Sequence, residues 1–155
     1  HILLIWSVIH TYTDILEYRF VSGKLITQLL SITNKSHSNM SKMVYINSLG
    51  NSIEYSIGKN AQHNFDIIDR ADEHDIWFHI NGDSSCHVIA HLPTDILLSK
   101  KQLKQIITQG AVICKSNSRH KSGKNIPIVY THIKHVKKTD TIGTVTTENA
   151  KVISI

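Results

Sequence analysis

The chain has 155 residues, 41% of them hydrophobic, which is enough for one domain with a buried core and excludes wholesale disorder. Its two cysteines, Cys86 and Cys114, are too few for a disulfide framework, so we expect reduced thiols and a cytoplasmic location. The formal net charge of +5 favours polyanionic partners.

The first 42 residues have the least regular pattern, and they form an uncertain N-terminal extension to a domain expected at residues 43–155. The apolar run Ile2–Ile9 is too short to cross a bilayer, and no basic segment precedes it. We therefore expect neither a membrane span nor a signal peptide here. Two alternatives stay open: the extension is not native, or Asp14–Ile32 forms one amphipathic helix that a glycine interrupts.

The alternation of apolar and polar residues predicts a β-hairpin at the start of the well-patterned region. Val44–Asn47 and Ile53–Ile57 alternate, and Leu49-Gly50-Asn51 between them has the composition of a tight turn. Ala61–Arg70 then places apolar residues at helical spacing, which predicts a short helix.

The next segments predict a second pair of strands. Asp75–Ile80 alternates, so its aliphatic residues and Phe78 share one face while Trp77 and His79 share the other. Turn residues follow at once, and His87–His91 returns as the partner strand.

The strongest helix signal begins at Ser99. Ser99 and Gln102 have the spacing of a capping box, in which each side chain satisfies a free backbone N–H of the other. Apolar residues then recur at helical spacing, at Leu103, Ile106, Ile107, Ala111 and Cys114. Gly110 interrupts this apolar face and predicts a close approach of the helix to a sheet.

The last part of the chain reads as strands separated by polar segments. Ser116–Asn125 is a polar loop, and Ile126–Tyr130 is a strand in which Pro127 marks either the start or an edge position. Lys137-Lys138 falls in a polar connection, and Lys151–Ile155 is the last strand. The predicted fold is α+β: a mostly antiparallel sheet with one main helix and a second short helix packed on it.

Positive charge is concentrated in one stretch of the chain. Ile96–Thr139 contains ten Lys or Arg residues and no Asp or Glu, whereas the other seven cations share the rest of the chain with all twelve acids. This asymmetry is what a phosphate-binding face requires, although exposed lysines also occur on ordinary solvated surfaces. The cations that we predict to contact nucleic acid are Lys115, Arg119, Lys121, Lys124, Lys137 and Lys138.

Three segments resemble a known family. They are Gly-Lys-Asn-Ala-Gln-His-Asn at Gly58–Asn64, Asp-Ile-Trp-Phe-His at Asp75–His79 and Ser-Cys-His-Val-Ile at Ser85–Ile89. In this order they resemble the NFACT-R domain, and the resemblance extends over about Met43–Ile155. No companion domain of the large family members is visible, so the chain resembles the short, stand-alone form.

The resemblance implies a non-catalytic RNA-binding module that needs no cofactor. It implies tRNA or ribosomal RNA as partner, DNA as a less favoured polymer, and a link to ribosome-associated quality control on the large ribosomal subunit. It also adds His87 of the third segment to the candidate site. Because no heptad pattern is present, we expect a monomer.

Trp77 and His79 are candidates of a different kind. An indole beside an imidazole can stack on unpaired bases while cations hold the phosphates. The competing interpretation is that Trp77 packs in the core and that His79 is hydrogen-bonded to Asp75 or Ser84.

Two further functions remain as alternatives. The chain could be a protein-interaction module that docks an acidic partner, or a small hydrolase that uses Cys86 with a histidine. We expect no zinc site, although four histidines invite one, because His87 and His91 would lie roughly 13 Å apart along a strand. The four histidines are His74, His79, His87 and His91.

Overall fold

The structure is a computed structural model that describes residues 40–155, and this range contains eight strands, two α-helices and one 3-10 turn. The strands are β1 (Met40–Ile46), β2 (Asn51–Ile57), β3 (Ile76–Ile80), β4 (Val88–Ala90), β5 (Pro127–His132), β6 (Val136–Lys138), β7 (Val145–Thr147) and β8 (Lys151–Ser154). The helices are α1 (Ala61–Asp69) and α2 (Lys100–Ser116), and the 3-10 turn is Ile133–His135.

Six of the strands form one sheet in the order β1-β2-β4-β3-β5-β8, and β6 pairs with β7 in a separate two-stranded sheet. Every strand pair is antiparallel. The predicted α+β fold, with its mostly antiparallel sheet, one main helix and a second short helix, is therefore confirmed. The predicted hairpin is confirmed too: Ile46 pairs with Asn51, and Gly50 takes a φ of 72° that favours glycine.

Helix α2 covers the face of the sheet to which Phe78 belongs. Its buried residues include Ile106, Ala111 and Cys114, which join the aliphatic residues of β2, β3 and β4 in the larger core. A Cβ at Gly110 would lie 2.4 Å from the Phe78 ring, so the glycine permits the predicted close approach. The capping box is formed as well. The predicted apolar face is thus the face that packs on the sheet, although Leu103 and Ile107 are only partly buried and Ile113 is buried as well.

Helix α1 lies on the other face, in a second and smaller core. Ile67 and Ile68 of α1 pack there with Trp77 of β3, Ile89 of β4 and Ile133 of the 3-10 turn. Trp77 and Phe78 are both buried, 3% and 0% exposed, because the strand alternation directs them to opposite, helix-covered faces.

Two features of the last part differ from the sequence prediction. Lys137 and Lys138 lie in strand β6 and not in a connection, because pairing with β7 satisfies their backbone groups in an otherwise polar segment. Pro127 is the first residue of β5, which confirms one of the two alternatives. The edge alternative is wrong, because β5 is an interior strand between β3 and β8.

The predictions for the first part of the chain fall outside the described residues. They concern the apolar run Ile2–Ile9, the helix Asp14–Ile32 and the status of the N-terminal extension. Strand β1 starts at Met40, four residues before the predicted strand. Among residues 40–155, no helix has the length and apolar character needed to span a membrane.

Candidate nucleic-acid interface

An open groove with a volume of about 1090 Å³ lies beside the start of α1, on the Trp77 face of the sheet. Its walls are residues 58–61 at the start of α1, residues 80–86 from the end of β3 towards β4, and residues 142–145 at the start of β7. Asn117 and Arg119, which follow α2, complete the rim. The groove is therefore built by segments that are far apart in the sequence.

Three aromatic rings line the floor of the groove, and we call Trp77, His79 and His87 the ring cluster. The indole of Trp77 and the imidazole of His79 are stacked, with their centroids 5.6 Å apart and their planes 6° apart. His87 meets both rings edge-on, at 5.2 Å from each. His79 is the half-buried member, whereas the other two are almost fully buried.

Burial keeps both imidazoles of the ring cluster neutral. It lowers the pKa of His87 to about 3, with a further contribution from the neighbouring His79. Burial also lowers the pKa of His79. The Nδ1 of His79 lies 2.8 Å from the carbonyl oxygen of Ile80 and donates to it, so Nε2 carries the lone pair. The competing interpretation, in which His79 is hydrogen-bonded to Asp75 or Ser84, is wrong, because the carbonyl of Ile80 in its own strand accepts instead.

Two buried nitrogen atoms of the ring cluster lack a hydrogen-bond partner within residues 40–155. They are Nε1 of Trp77 and Nδ1 of His87. Buried polar groups in native proteins are nearly always hydrogen-bonded, so each exception calls for an explanation, such as a functional role or a bound water or ion. The ring cluster therefore holds two buried ring nitrogens without a partner in the described part of the chain.

The turn before α1 is tied to the ring cluster by hydrogen bonds. Asn64 Oδ1 accepts from the backbone N–H of His87 at 3.1 Å, and the N–H of Gly58 donates to the carbonyl of His87 at 2.9 Å. A Cβ at Gly58 would overlap Asn64 Oδ1, at 1.8 Å, so only glycine fits there. Asn60 caps the helix by accepting from the N–H of His63.

The opposite rim carries a small network of charged side chains. Arg119 Nη2 donates to Asp83 Oδ1 at 3.0 Å and to Ser84 Oγ at 2.6 Å. His120 Nε2 lies 2.7 Å from the other carboxylate oxygen. The pKa of Asp83 is lowered, mainly by the hydrogen bond from His120 and then by the N–H of Ser84. Arg119 is 64% exposed, so its remaining donors can reach a ligand in the groove.

The other predicted cations do not line the groove. Lys115 donates to the carbonyl of Ile155 at 3.0 Å, Lys137 pairs with Glu148 at 2.7 Å, and Lys138 pairs with Asp69 at 2.5 Å. Lys121 and Lys124 are exposed and make no ion pair with any residue from 40 to 155. Of the predicted site residues, the structure brings together Trp77, His79, His87 and Arg119.

The histidines that suggested zinc lie in separate environments. His91 Nδ1 lies 2.8 Å from Asp75, whereas His79 and His87 contact each other and Trp77. In the described part of the chain, the one group of possible metal ligands is Asp72, His74 and Asp75. The buried carboxylate of Asp75 already accepts hydrogen bonds from His91, the N–H of Leu92 and the N–H of Asp72, so this cluster has a structural role.

The thiol proposed as a nucleophile faces another thiol. The hydrogen bond from Cys114 is the main influence that lowers the pKa of Cys86, and Cys114 Sγ lies 4.0 Å from the carbonyl oxygen of Cys86. Cys86 is half-buried and lines the groove, whereas Cys114 is buried.

Several residues of the groove are not among those predicted. Lys59, Asn60, Asn64 and Gly143 line it, and Gly143 approaches Ala61 so closely that a Cβ would lie 2.7 Å from the Ala61 Cβ. The available signal for the first three was the segment Gly58–Asn64, which carried the family resemblance but was given no role. Gly143 has a φ of 83°, which favours glycine.

Comparison with known proteins gives three findings. A family model described as the NFACT protein RNA binding domain matches residues 31–149. Coiled-coil domain-containing protein 25 of Danio rerio is 33% identical over 84 residues, which are 54% of this chain and 40% of that protein. The chain thus matches less than half the length of this relative.

The third finding concerns the fold. The C-terminal structure of the fibronectin/fibrinogen-binding protein from Streptococcus suis superposes with a TM-score of 0.58 at 21% identity. The match covers 66% of this chain and 41% of that one. At this identity the similarity supports the fold alone.

Proposed function

The chain belongs to the NFACT RNA-binding domain family, and we propose that it binds RNA in the groove. The ring cluster contacts bases, and Arg119 contacts phosphate. One observation carries the proposal: Trp77, His79 and His87 lie in the same open groove as Arg119. Recognition of single-stranded RNA requires both kinds of partner, since bases stack on rings while the backbone is held by cations.

Lys121 and Lys124 extend the phosphate-binding surface beyond the groove in this proposal. Both are exposed in the loop after Arg119, and neither is neutralised by a carboxylate of the described chain. Lys115, Lys137 and Lys138 contribute less, because each already has an oxygen partner.

We propose tRNA or ribosomal RNA as the natural polymer, bound by a monomer in the cytoplasm in the course of ribosome-associated quality control. This finer assignment is supported by the sequence resemblance of the segments Gly58–Asn64 and Asp75–His79, and the groove geometry does not distinguish among RNAs. Binding to RNA should be compared with binding to duplex DNA, because a protein that contacted only phosphates would bind both equally well.

The proposed role is binding without catalysis. A thiol hydrolase needs an imidazole that takes the proton of the thiol. The Cys114 thiol lies beside Cys86 and donates to its carbonyl oxygen, whereas the neighbouring His87 contacts Trp77 and His79. This arrangement supports a binding groove over a nucleophilic site.

A salt-dependent titration tests the proposal. The full chain is titrated with labelled tRNA, a single-stranded RNA and duplex DNA at several salt concentrations. We expect RNA to bind more tightly than duplex DNA, and Arg119→Gln to reduce the slope of log K against log salt by about one. Lys101→Gln is the charge-matched control, because Lys101 is exposed on α2 and does not line the groove.

The outcomes separate the competing functions. Equal losses in Arg119→Gln and Lys101→Gln would show diffuse electrostatic binding and would contradict a site in the groove. Absence of binding to every polymer at low salt would contradict the RNA-binding proposal and would favour a module that docks an acidic protein.

A further inference from the structure

We infer that the groove holds one unpaired nucleotide, with its base against the ring cluster and its phosphate between Arg119 and the start of α1. This inference rests on the proposed RNA binding and specifies which part of an RNA enters the groove. Four observations carry it: the shape of the groove, the neutrality of its floor, the unpartnered ring nitrogens and the arrangement of donors at its rim.

The shape of the groove favours a base that has left a helix. In double-stranded RNA the base faces are stacked and the base edges are paired, so a ring cluster on the floor of a groove cannot reach them. The volume of about 1090 Å³ slightly exceeds the range of small-molecule sites, about 300–1,000 Å³, so the groove has room for a nucleotide. Because the groove is open, the RNA strand can continue on both sides of the bound nucleotide.

The floor is suited to a base and not to a phosphate. His79 and His87 are neutral at physiological pH, because burial lowers the pKa of both. A neutral imidazole offers a π-face and a lone pair but no charge for an anion. His79 is the most exposed of the three rings, and its centroid lies 5.6 Å from that of the stacked Trp77 ring. The base therefore meets His79 first.

The unpartnered nitrogens point to a ligand with polar edges. Nε1 of Trp77 is a donor, and Nδ1 of His87 is either a donor or an acceptor. Trp77 is 3% exposed and His87 is 1% exposed, so leaving these atoms unpaired costs free energy. A nucleobase carries both donors and acceptors on its edges, and it could pair with these nitrogens only after a shift of the rings, because both atoms are buried.

The rim supplies the groups that a phosphate requires. Residues Asn60 and Ala61 at the start of α1 line the groove, and the first turn of that helix contains no acidic residue. First-turn N–H groups have no intrahelical acceptor, and the Asn60 side chain takes only that of His63. Arg119 lies on the same groove, although Asp83 beside it also faces the anion and reduces the net positive charge.

The experiment uses the full chain and a short oligouridylate with one central 2-aminopurine. We expect a strong decrease of 2-aminopurine fluorescence on binding, and about a tenfold loss of affinity when the centre is abasic. His79→Ala should cause a similar loss with the normal oligonucleotide and little further loss with the abasic one. His79→Phe retains a ring and should bind nearly as tightly as the unaltered protein.

The results distinguish this inference from the proposed function. If the same sequence binds equally well as an oligonucleotide, as a duplex and with an abasic centre, the protein binds RNA but holds no unpaired base. If no RNA binds at low salt, both the proposed function and this inference are wrong. A His79→Phe protein that is folded and binds as weakly as His79→Ala would also contradict base stacking.

Discussion

The amide oxygen of Asn64 accepts a hydrogen bond from the backbone N–H of His87 at 3.1 Å. This bond joins α1 to His87, the residue of the ring cluster directly before β4, although the two residues lie 23 positions apart in the sequence. Both residues are buried, at 7% and 1% exposure, so no water competes for the bond. The position of the helix start and that of the ring cluster therefore depend on the same contact.

Replacing this amide should destabilise the protein. In Asn64→Ala the buried N–H of His87 loses its acceptor, and we expect a loss of about 1–3 kcal/mol in the free energy of unfolding. Urea denaturation measures it. Gln62→Ala on the exposed side of the same helix is the control, and its effect should stay within about 0.5 kcal/mol. Equal effects of the two substitutions would mean that the Asn64 bond contributes nothing specific.

Gly110 should tolerate no side chain. In Gly110→Ala the new methyl group would overlap the Phe78 ring, and we expect destabilisation of about 1–3 kcal/mol even though alanine is the better helix former. The midpoint of thermal or urea unfolding reports the change. Combining Gly110→Ala with Phe78→Leu should cost less than the sum of the two single changes, because the smaller side chain makes room. Simple additivity would contradict the clash.

Acid should destabilise the fold through His87. Its pKa is about 3 in the folded protein and about 6.5 when unfolded, so between these values the unfolded chain binds one proton more. Stability therefore falls as the pH decreases from about 6.5 to about 3, by up to about 1.4 kcal/mol per pH unit from this group. His87→Gln should flatten that part of the profile, whatever its effect on stability at neutral pH. An unchanged slope would mean that His87 is protonated in the folded state.

His91 should act in the opposite direction. The hydrogen bond to Asp75 raises the pKa of His91 in the folded protein. The stabilisation that this hydrogen bond gives the fold is fully present below the unfolded pKa of about 6.5. It is lost as the pH rises through the pKa of His91 in the folded protein. His91→Gln should remove the fall in stability above pH 6.5 and should leave the His87-dependent fall below pH 6.5 unchanged. The free energy of unfolding, measured with denaturant at several pH values across this range, reports both effects.

RNA should protect Cys86 from alkylation. Cys86 lines the groove and is half-buried, whereas the hydrogen bond with Cys86 and then burial raise the pKa of Cys114 and make it inert in the folded protein. Iodoacetamide labelling followed by mass spectrometry should therefore modify Cys86 alone. Saturating RNA should slow that reaction several-fold if the RNA fills the groove. If bound RNA does not slow the alkylation of Cys86, the RNA binds outside the groove.

Local sequence patterns predicted most of the fold. The capping box of Ser99 and Gln102, the alternation around Trp77 and the apolar spacing of α2 depend on residues within one element, and short-range geometry fixes their consequences. The resemblance of Asp75–His79 to its family also indicated the correct domain. The short strand β6 was missed because three residues with two lysines carry no periodic signal, and only pairing with β7 makes them a strand.

The candidate site depended on the tertiary structure. The sequence by itself determined that ten cations occur in a stretch without acids, but it could not determine what surrounds them in space. Folding brings Glu148 to Lys137, Asp69 to Lys138 and Asp83 to Arg119, each from outside that stretch. Charges act through distance in space and not along the chain. For the same reason, the meeting of the Gly58–Asn64 turn with the ring cluster was decided by the packing of α1 on the sheet.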